Sequence, residues 1–287
     1  MDSQPEQKAE ETTHGFLTQE EQRLGQGLLS LGWVQRPTEA PGELSRIRDQ
    51  VAHFAADHLG LSSAEISSEE SETFLREIHR LVSVAELNNL RLAVFRRLNA
   101  EPWFRPAYYR LARRALSTLV GNELAMQRRV NLSIQLPGDS SSLLPLHADS
   151  WSGDSPYEIV LWVPLVDCRR TQCMFLLPRP AQEKLLGDSD AVAAAGSVED
   201  LFRLVEPQVQ FLDISFGEVL LFDQNLLHGN RVNEEATARW SLNCRFKGLF
   251  TPYADKKLGE FFEPITVRPM SRLGMAHRFP SGFNDRD

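Results

Sequence analysis

The chain has 287 residues, 42% hydrophobic and 24% charged, which is the composition of a soluble globular protein long enough to bury a sizeable core. Its formal net charge of −8 leaves no electrostatic footprint for sequence-independent binding to nucleic acid. No apolar run approaches the roughly 18 residues of a membrane span. The opening MDSQPEQKAEETTHG lacks the basic and apolar regions of a secretory signal, and Cys168, Cys173 and Cys244 match neither zinc-site nor CxxC spacing. The expected setting is therefore the cytoplasm, with reduced thiols.

In chain order, the polar and acidic residues 1–15 are expected to form a disordered tail. Thr18-Gln-Glu-Glu21 is a capping box and predicts a helix to about Leu31. After the turn at Pro37–Gly42, Leu44, Ile47, Val51, Phe54 and Ala55 recur at helical spacing until Gly60. Phe74, Leu75, Ile78 and Leu81 mark another helix, and Ser83-Val-Ala-Glu86 caps the next, through Leu98. Pro106 fits the first turn of one more, stopped by Gly121. Residues 16–121 are thus expected to be mainly helical, with His53, His58 and His79 in structural or surface roles.

The texture changes near Met126. Val130, Leu132, Ile134 and Leu136 alternate with Asn131, Ser133 and Gln135, which predicts a strand with one apolar and one polar face. Further strands are expected around His147 and over Glu158–Val166, Cys173–Leu177, Val209–Ile214, Val219–Asp223 and Arg239–Leu249. Ala181–Leu186 and Ala191–Leu204 read as a helical excursion, Lys256–Phe262 as a short helix, and the remainder to Asp287 as an irregular tail. Short strands separated by turn signals suggest an α+β chain built on a double-stranded β-helix, that is, a jelly roll or cupin-like barrel. Residues 16–287 are expected to form one domain, with a jelly-roll core over 122–250, the helical half packed on it, and a C-terminal extension over 251–287.

The chemistry starts at His147-Ala148-Asp149. Two positions apart on an extended chain, the imidazole and carboxylate point the same way. His228, ahead of Gly229, would complete a 2-His-1-carboxylate face that leaves the other positions of a ferrous ion open for substrate and oxygen. His-x-Asp also arises often by chance, and the competing reading is a polar strand end with a hydrogen-bonded histidine. Arg239 lies eleven positions after His228, and alternation places Arg239, Ser241 and Asn243 on one face. An inward arginine needs an anionic partner, and a guanidinium with a hydroxyl makes a carboxylate clamp. The alternative is a surface arginine on an edge strand.

The order His-x-Asp, His-Gly-Asn, then Arg-x-Ser resembles the iron(II)/2-oxoglutarate-dependent oxygenases, particularly their phytanoyl-CoA dioxygenase-like branch. Val130-Asn-Leu-Ser-Ile-Gln-Leu-Pro-Gly-Asp139 and Leu146-His-Ala-Asp-Ser-Trp-Ser-Gly-Asp-Ser-Pro156 are similar to a bacterial subgroup associated with carbohydrate gene clusters. The resemblance implies that His147, Asp149 and His228 hold catalytic Fe(II), and that Arg239, helped by Ser241, binds the distal carboxylate of 2-oxoglutarate, with O2 as the other co-substrate. It places Asn131, Ser133 and Gln135 toward the pocket, able to touch cosubstrate or substrate; a solvated sheet face is the alternative. Trp151, Ser152 and Asp154 become candidates for a substrate lid, with packing as the plainer role for Trp151, while Trp162 reads as core. Halogenating members replace the carboxylate ligand with a small residue, so the retained Asp149 favours hydroxylation, or a related desaturation or ring closure. The implied substrate is a small molecule, a carbohydrate or sugar nucleotide of polysaccharide or glycoconjugate biosynthesis. Two rivals stand beside this reading: an oxygen-independent metal-binding cupin that isomerises or epimerises a sugar, and a non-catalytic barrel that binds a ligand.

Overall fold

The computed structural model describes residues 15–278, so all of the expected N-terminal tail except Gly15 lies outside the described residues. Helix α1 (Gln19–Leu31) begins at the predicted capping box: Thr18 Oγ accepts the Glu21 N–H at 3.3 Å while the Glu21 carboxylate accepts the Thr18 N–H at 2.8 Å. The next element, β1 (Trp33–Pro37), is not visible in the hydrophobic pattern, because only Trp33 is buried along it. It pairs with a single neighbour, and Pro37, which has no N–H to give a ladder, sits at its end.

Helices α2 (Pro41–His58) and α4 (Val84–Ala100) fall where the apolar spacing places them, whereas α3 (Ser68–Arg76) starts in the polar stretch ahead of Phe74 and ends before Ile78, which lies in a 3₁₀ turn, and before the exposed Leu81. The last predicted helix of this half is two, α5 (Phe104–Arg110) and α6 (Arg113–Leu119). The chain breaks at Ala112 (φ −145°, ψ 32°), and the Glu39 carboxylate caps the new N-terminus by accepting the N–H groups of Arg114 (2.7 Å) and Ala115 (3.0 Å).

The strands follow: β2 (Leu124–Gln127), β3 (Asn131–Gln135), β4 (Glu158–Pro164), β5 (Phe175–Leu176), β6 (Gln210–Phe211), β7 (Glu218–Asp223), β8 (His228–Gly229), β9 (Arg239–Gly248) and β10 (Phe262–Thr266). Helices α7 (Arg179–Gly187), α8 (Ser189–Ala194) and α9 (Val198–Val205) form the expected excursion between β5 and β6. One antiparallel sheet has the order β1-β7-β4-β9-β2-β10, with β3 also paired to β9; the second has the order β6-β5-β8. Strand β9 organises the larger sheet. Along one edge it pairs with β4, and along the other first with β3 and then with β2.

Alternation on β9 divides two environments. Trp240, Leu242, Cys244 and Phe246 are fully buried in a cluster that also holds Leu44, Ile47, Leu90 and Val94 of the helices. Trp240 Nε1 donates to the Leu75 carbonyl at 2.9 Å, and the Ala238 N–H to the Arg76 carbonyl at 2.9 Å, tying α3 to the start of β9. Trp240→Phe removes the indole donor, leaves that carbonyl buried, and opens a small void. The expected loss is about 2 kcal/mol of unfolding free energy, read from the urea midpoint at unchanged slope.

The C-terminal segment differs from expectation. Lys256–Phe262 is not a helix: Gly259 (φ 87°) turns the chain, and β10 starts at Phe262, which is buried against Ala125 and Leu249. The expected irregular tail instead contains helix α10 (Pro269–Ala276), whose sequence gives no periodic signal because none of its residues is buried. Among the described residues no helix is long and apolar enough to cross a membrane.

Candidate metal centre

The centre is assembled where the two ends of a single cross-strand bridge meet. His147 and His228 exchange both backbone hydrogen bonds, at 2.9 and 2.8 Å. The predicted strand around His147 is reduced to this one pair, since Asp149 opens a short 3₁₀ turn over Asp149–Ser152. Ala148 between them is extended (φ −113°, ψ 137°), so the two-residue alternation still brings His147 and Asp149 to one side. Gly229 is needed after His228 because a Cβ there would lie 2.6 Å from the Leu144 carbonyl oxygen.

His147 Nε2 is 3.6 Å, and His228 Nε2 4.0 Å, from Asp149 Oδ1. One ligand atom from each of these residues lies within 4.8 Å of the others. Both imidazoles are oriented from behind: His147 Nδ1 is 2.7 Å from the Pro145 carbonyl and His228 Nδ1 2.8 Å from the Leu226 carbonyl. A carbonyl only accepts, which assigns the hydrogens to Nδ1 and turns the Nε2 lone pairs toward Asp149. Burial, reinforced by the neighbouring His147, pushes the His228 pKa down to about 4 and keeps the ring neutral. Burial also pulls His147 down, but its hydrogen bonds to Asp149 and Pro145 outweigh it and the net shift is upward. For Asp149, burial is overcome by the His147 hydrogen bond and the Arg245 charge, which hold the carboxyl well below its usual range. The result is two imidazole nitrogens and a carboxylate oxygen converging, a donor set that fits a divalent transition-metal ion.

Arg239, at the start of β9, is only 4% exposed. Its Nη2 donates to Ser133 Oγ at 2.9 Å, while its Nε and the fully buried Ser241 Oγ have no hydrogen-bond partner. Asp139 is the nearby carboxylate that bears on its charge, and Asp139 is itself engaged by the Ser141 N–H (2.7 Å) and Ser142 Oγ (2.6 Å). A buried guanidinium and a buried hydroxyl two positions apart on β9, each with an unused donor, offer a place for an acceptor from outside the chain.

The other predicted residues separate. Ser133 joins Arg239. Gln135, opposite Arg239 in the β3–β9 register, donates to the Arg231 carbonyl at 2.7 Å and accepts from Asn230 at 3.3 Å, which links the Arg239 end of the sheet to the segment carrying His228. Asn131 donates to Asn243 at 3.0 Å and accepts from Gln127 at 3.4 Å, further along the same polar face. Trp151 (57% exposed) and Ser152 stand on the surface immediately after Asp149. Asp154 does not join them: it is buried, with its carboxylate held by Arg245 Nε (3.4 Å) and by Lys256 Nζ, so it faces inward rather than lining a lid.

Arg245 belongs to the site although the sequence does not single it out. Arg245 Nη2 lies 2.8 Å from Asp149 Oδ2. Extending the Arg239-x-Ser241-x-Asn243 alternation two positions further would have found it. Trp162 is buried in the main hydrophobic cluster, as expected, and stands in register opposite Asn243.

No family model and no curated protein matches the sequence. Solved structures do match in fold. A nickel complex of ThoJ, a non-haem monooxygenase, is 13% identical over 91% of each chain with a TM-score of 0.55. AviO1 from Streptomyces viridochromogenes Tue57 is 16% identical over 83% of this chain and 99% of its own, with a TM-score of 0.53. At such identities the likeness is one of fold, and the chain is built on the scaffold shared by AviO1 and the non-haem monooxygenase ThoJ, with a cluster of the half-buried His147 and the buried Asp149 and His228.

Proposed function

We propose that this chain is a mononuclear non-haem Fe(II) oxygenase of the phytanoyl-CoA dioxygenase-like type, taking 2-oxoglutarate and O2 as co-substrates. The observation that carries the reading is the pairing of an oriented His147-Asp149-His228 cluster with a buried Arg239 and Ser241 whose donors are unused. His147, Asp149 and His228 would hold the ion. Arg239, Ser241 and Ser133 would take the distal carboxylate of the oxo acid, with Gln135 bracing the ground between the two sites through Asn230. When bound, the iron supplies the one-electron chemistry that oxidises 2-oxoglutarate to succinate and carbon dioxide and places the second oxygen atom of O2 on substrate. The chain fixes the two imidazoles by backbone carbonyls, keeps His228 neutral by burial, and supplies the fixed positive charge that orients the dianionic co-substrate.

The wider organisation follows the same reading. The two sheets, the smaller extended by the His147–His228 bridge, are the halves of a double-stranded β-helix, and the cluster shared by the helices and β9 supports one domain over 16–287. The substrate is a carbohydrate or sugar nucleotide of polysaccharide or glycoconjugate biosynthesis, undergoing hydroxylation. In support, an exposed indole at Trp151 beside Ser152 offers a face to a sugar ring, and Asn131 and Asn243 offer amides to hydroxyls. Three buried, unpaired cysteines fit a reducing cytoplasm.

The direct test is anaerobic titration of the Fe(II)-loaded protein with 2-oxoglutarate, followed by a succinate-release screen across nucleotide sugars and glycan precursors. The expected result is a visible charge-transfer band on adding the oxo acid, and succinate that forms only with both iron and oxygen. Sugar turnover without oxygen would favour a cupin isomerase, and iron binding indifferent to the oxo acid a ligand-binding barrel.

A pH dependence follows from the histidines. Metal binding needs both imidazoles neutral, and His147 holds its proton to higher pH than an ordinary histidine. Affinity for Ni(II), measured by calorimetry, should therefore fall as pH drops through the raised His147 pKa, with about one proton displaced per ion. His228, titrating at about 4, should add nothing until far lower pH. Displacement of two protons near neutrality would contradict these assignments.

A further inference from the structure

We propose that Arg245 is a positioning residue for the metal site: it occupies Oδ2 of Asp149, so that this carboxylate meets the ion through Oδ1 alone. The inference rests on the reading of His147, Asp149 and His228 as a metal centre. The two carboxylate oxygens of Asp149 have different surroundings. Oδ1 is the atom that lies 3.6 Å from His147 Nε2 and 4.0 Å from His228 Nε2. Oδ2 is ion-paired with the Arg245 guanidinium, whose Nη2 lies 2.8 Å away, with both side chains largely buried (14% and 11% exposed).

Arg245 has further partners that keep it beside the carboxylate. Its Nε lies 3.4 Å from Asp154 Oδ1 in an ion pair without a hydrogen bond, its Nη1 donates to Gln127 Oε1 at 3.5 Å, and the same Gln127 oxygen accepts the Arg245 backbone N–H at 3.2 Å. Asp154 is anchored in turn by Lys256. Charges alternate along this row, Lys256, Asp154, Arg245, Asp149, so each buried ion has an opposite neighbour and the row carries no net charge.

The consequence is a count of coordination positions. An ion held by one oxygen of Asp149 and two imidazole nitrogens would keep positions free for a 2-oxo acid and for oxygen. A second oxygen from Asp149 would take one of them. Holding Oδ2 away from the ion therefore keeps that position available, and Arg245 does this from outside the ligand set.

The test uses the full chain loaded with Mn(II), whose crystal structure reads the two metal–oxygen distances directly, together with Arg245→Gln, Arg245→Lys and Asp154→Asn. In the wild-type protein Asp149 should bind the ion through Oδ1 while Oδ2 stays on Arg245. In Arg245→Gln both oxygens should reach the ion. With Fe(II), that variant should keep the 2-oxoglutarate charge-transfer band and a co-substrate KM within about threefold of wild type, yet consume oxygen at least about tenfold more slowly, with partial recovery in Arg245→Lys. Asp154→Asn, which loosens Arg245 without touching Asp149, should show a milder form of the same split. A wild-type structure with Asp149 bound through both oxygens overturns the proposal even if no variant folds, and so does Arg245→Gln with single-oxygen binding and undiminished oxygen consumption. A wild-type protein that takes up no divalent ion overturns the metal-centre reading itself, and this inference with it.

Discussion

Arg239→Ala is expected to raise the dissociation constant for 2-oxoglutarate by roughly two orders of magnitude while leaving affinity for the metal ion nearly unchanged. Two charge-assisted hydrogen bonds from a buried guanidinium contribute about 1.5–3 kcal/mol each, and some of that returns as the solvation the arginine gives up, which sets the net scale at about 3 kcal/mol. The same substitution should not destabilise the protein without ligand. Arg239 is buried with Nε unbonded, Ser133 as its hydrogen-bond partner, and Asp139 engaged elsewhere, so removing it also removes a desolvated charge that lacks a full counterpart. Loss of co-substrate affinity at unchanged or higher thermal stability separates a binding arginine from a structural one. Titration of the charge-transfer band gives the first quantity and thermal denaturation the second. If the 2-oxoglutarate dissociation constant stays within about threefold, the co-substrate is held elsewhere and the assignment of Arg239 is lost.

What the sequence discloses of this architecture is governed by how local each signal is. Capping boxes at Thr18 and Ser83 are complete within four residues, and both occur as read. The alternation of Val130–Leu136 and Arg239–Leu249 is likewise local, and it put Arg239, Ser133 and Ser241 on faces that do meet. The strands expected over Cys173–Leu177 and Val209–Ile214 occur in shortened form as β5 and β6, whereas β1 and β8 are set by partners distant in sequence; β8 spans just His228–Gly229 and exists because β5 and His147 lie beside it. The break between α5 and α6 depends on Glu39, more than seventy residues upstream. Arg245 was hidden for a related reason. Alternation along β9 places it on the face of Arg239, Ser241 and Asn243, but its pairing with Asp149, Asp154 and Gln127 joins separate elements and is not local. Asp154 shows the opposite error, since proximity to Asp149 in sequence suggested a shared surface role, whereas the 3₁₀ turn over Asp149–Ser152 sends the two side chains to either side of one guanidinium.

Asp149→Ala should abolish hydroxylation, and it should do so through two physical losses that can be measured apart. The first is a ligand: the remaining imidazoles bind a divalent ion without an anionic donor, and affinity should fall at least about a hundredfold. The second is a counter-charge. Arg245 Nη2, now without Asp149, is left beside the ion with only Asp154 and Gln127 as partners, and a fixed positive charge there opposes metal uptake. Asp149→Asn keeps the volume and one oxygen but removes the same charge, so the difference between Asn and Ala reports the ligand atom, and their shared deficit reports the charge. Added formate should help the alanine variant more than the asparagine variant, because the space left by the carboxylate opens toward both the imidazoles and the guanidinium. In the metal-free protein the sign of the pH effect is fixed by the depressed Asp149 pKa. Its ionised form stabilises the fold above the unfolded carboxyl value and loses that contribution as pH falls toward the folded one, so both variants should flatten the acid side of the stability curve. Hydroxylation retained in Asp149→Ala at more than about a tenth of the wild-type rate would remove Asp149 from the ligand set, and the role of Arg245 would go with it, because a carboxylate that does not bind the ion needs no second oxygen held away from it.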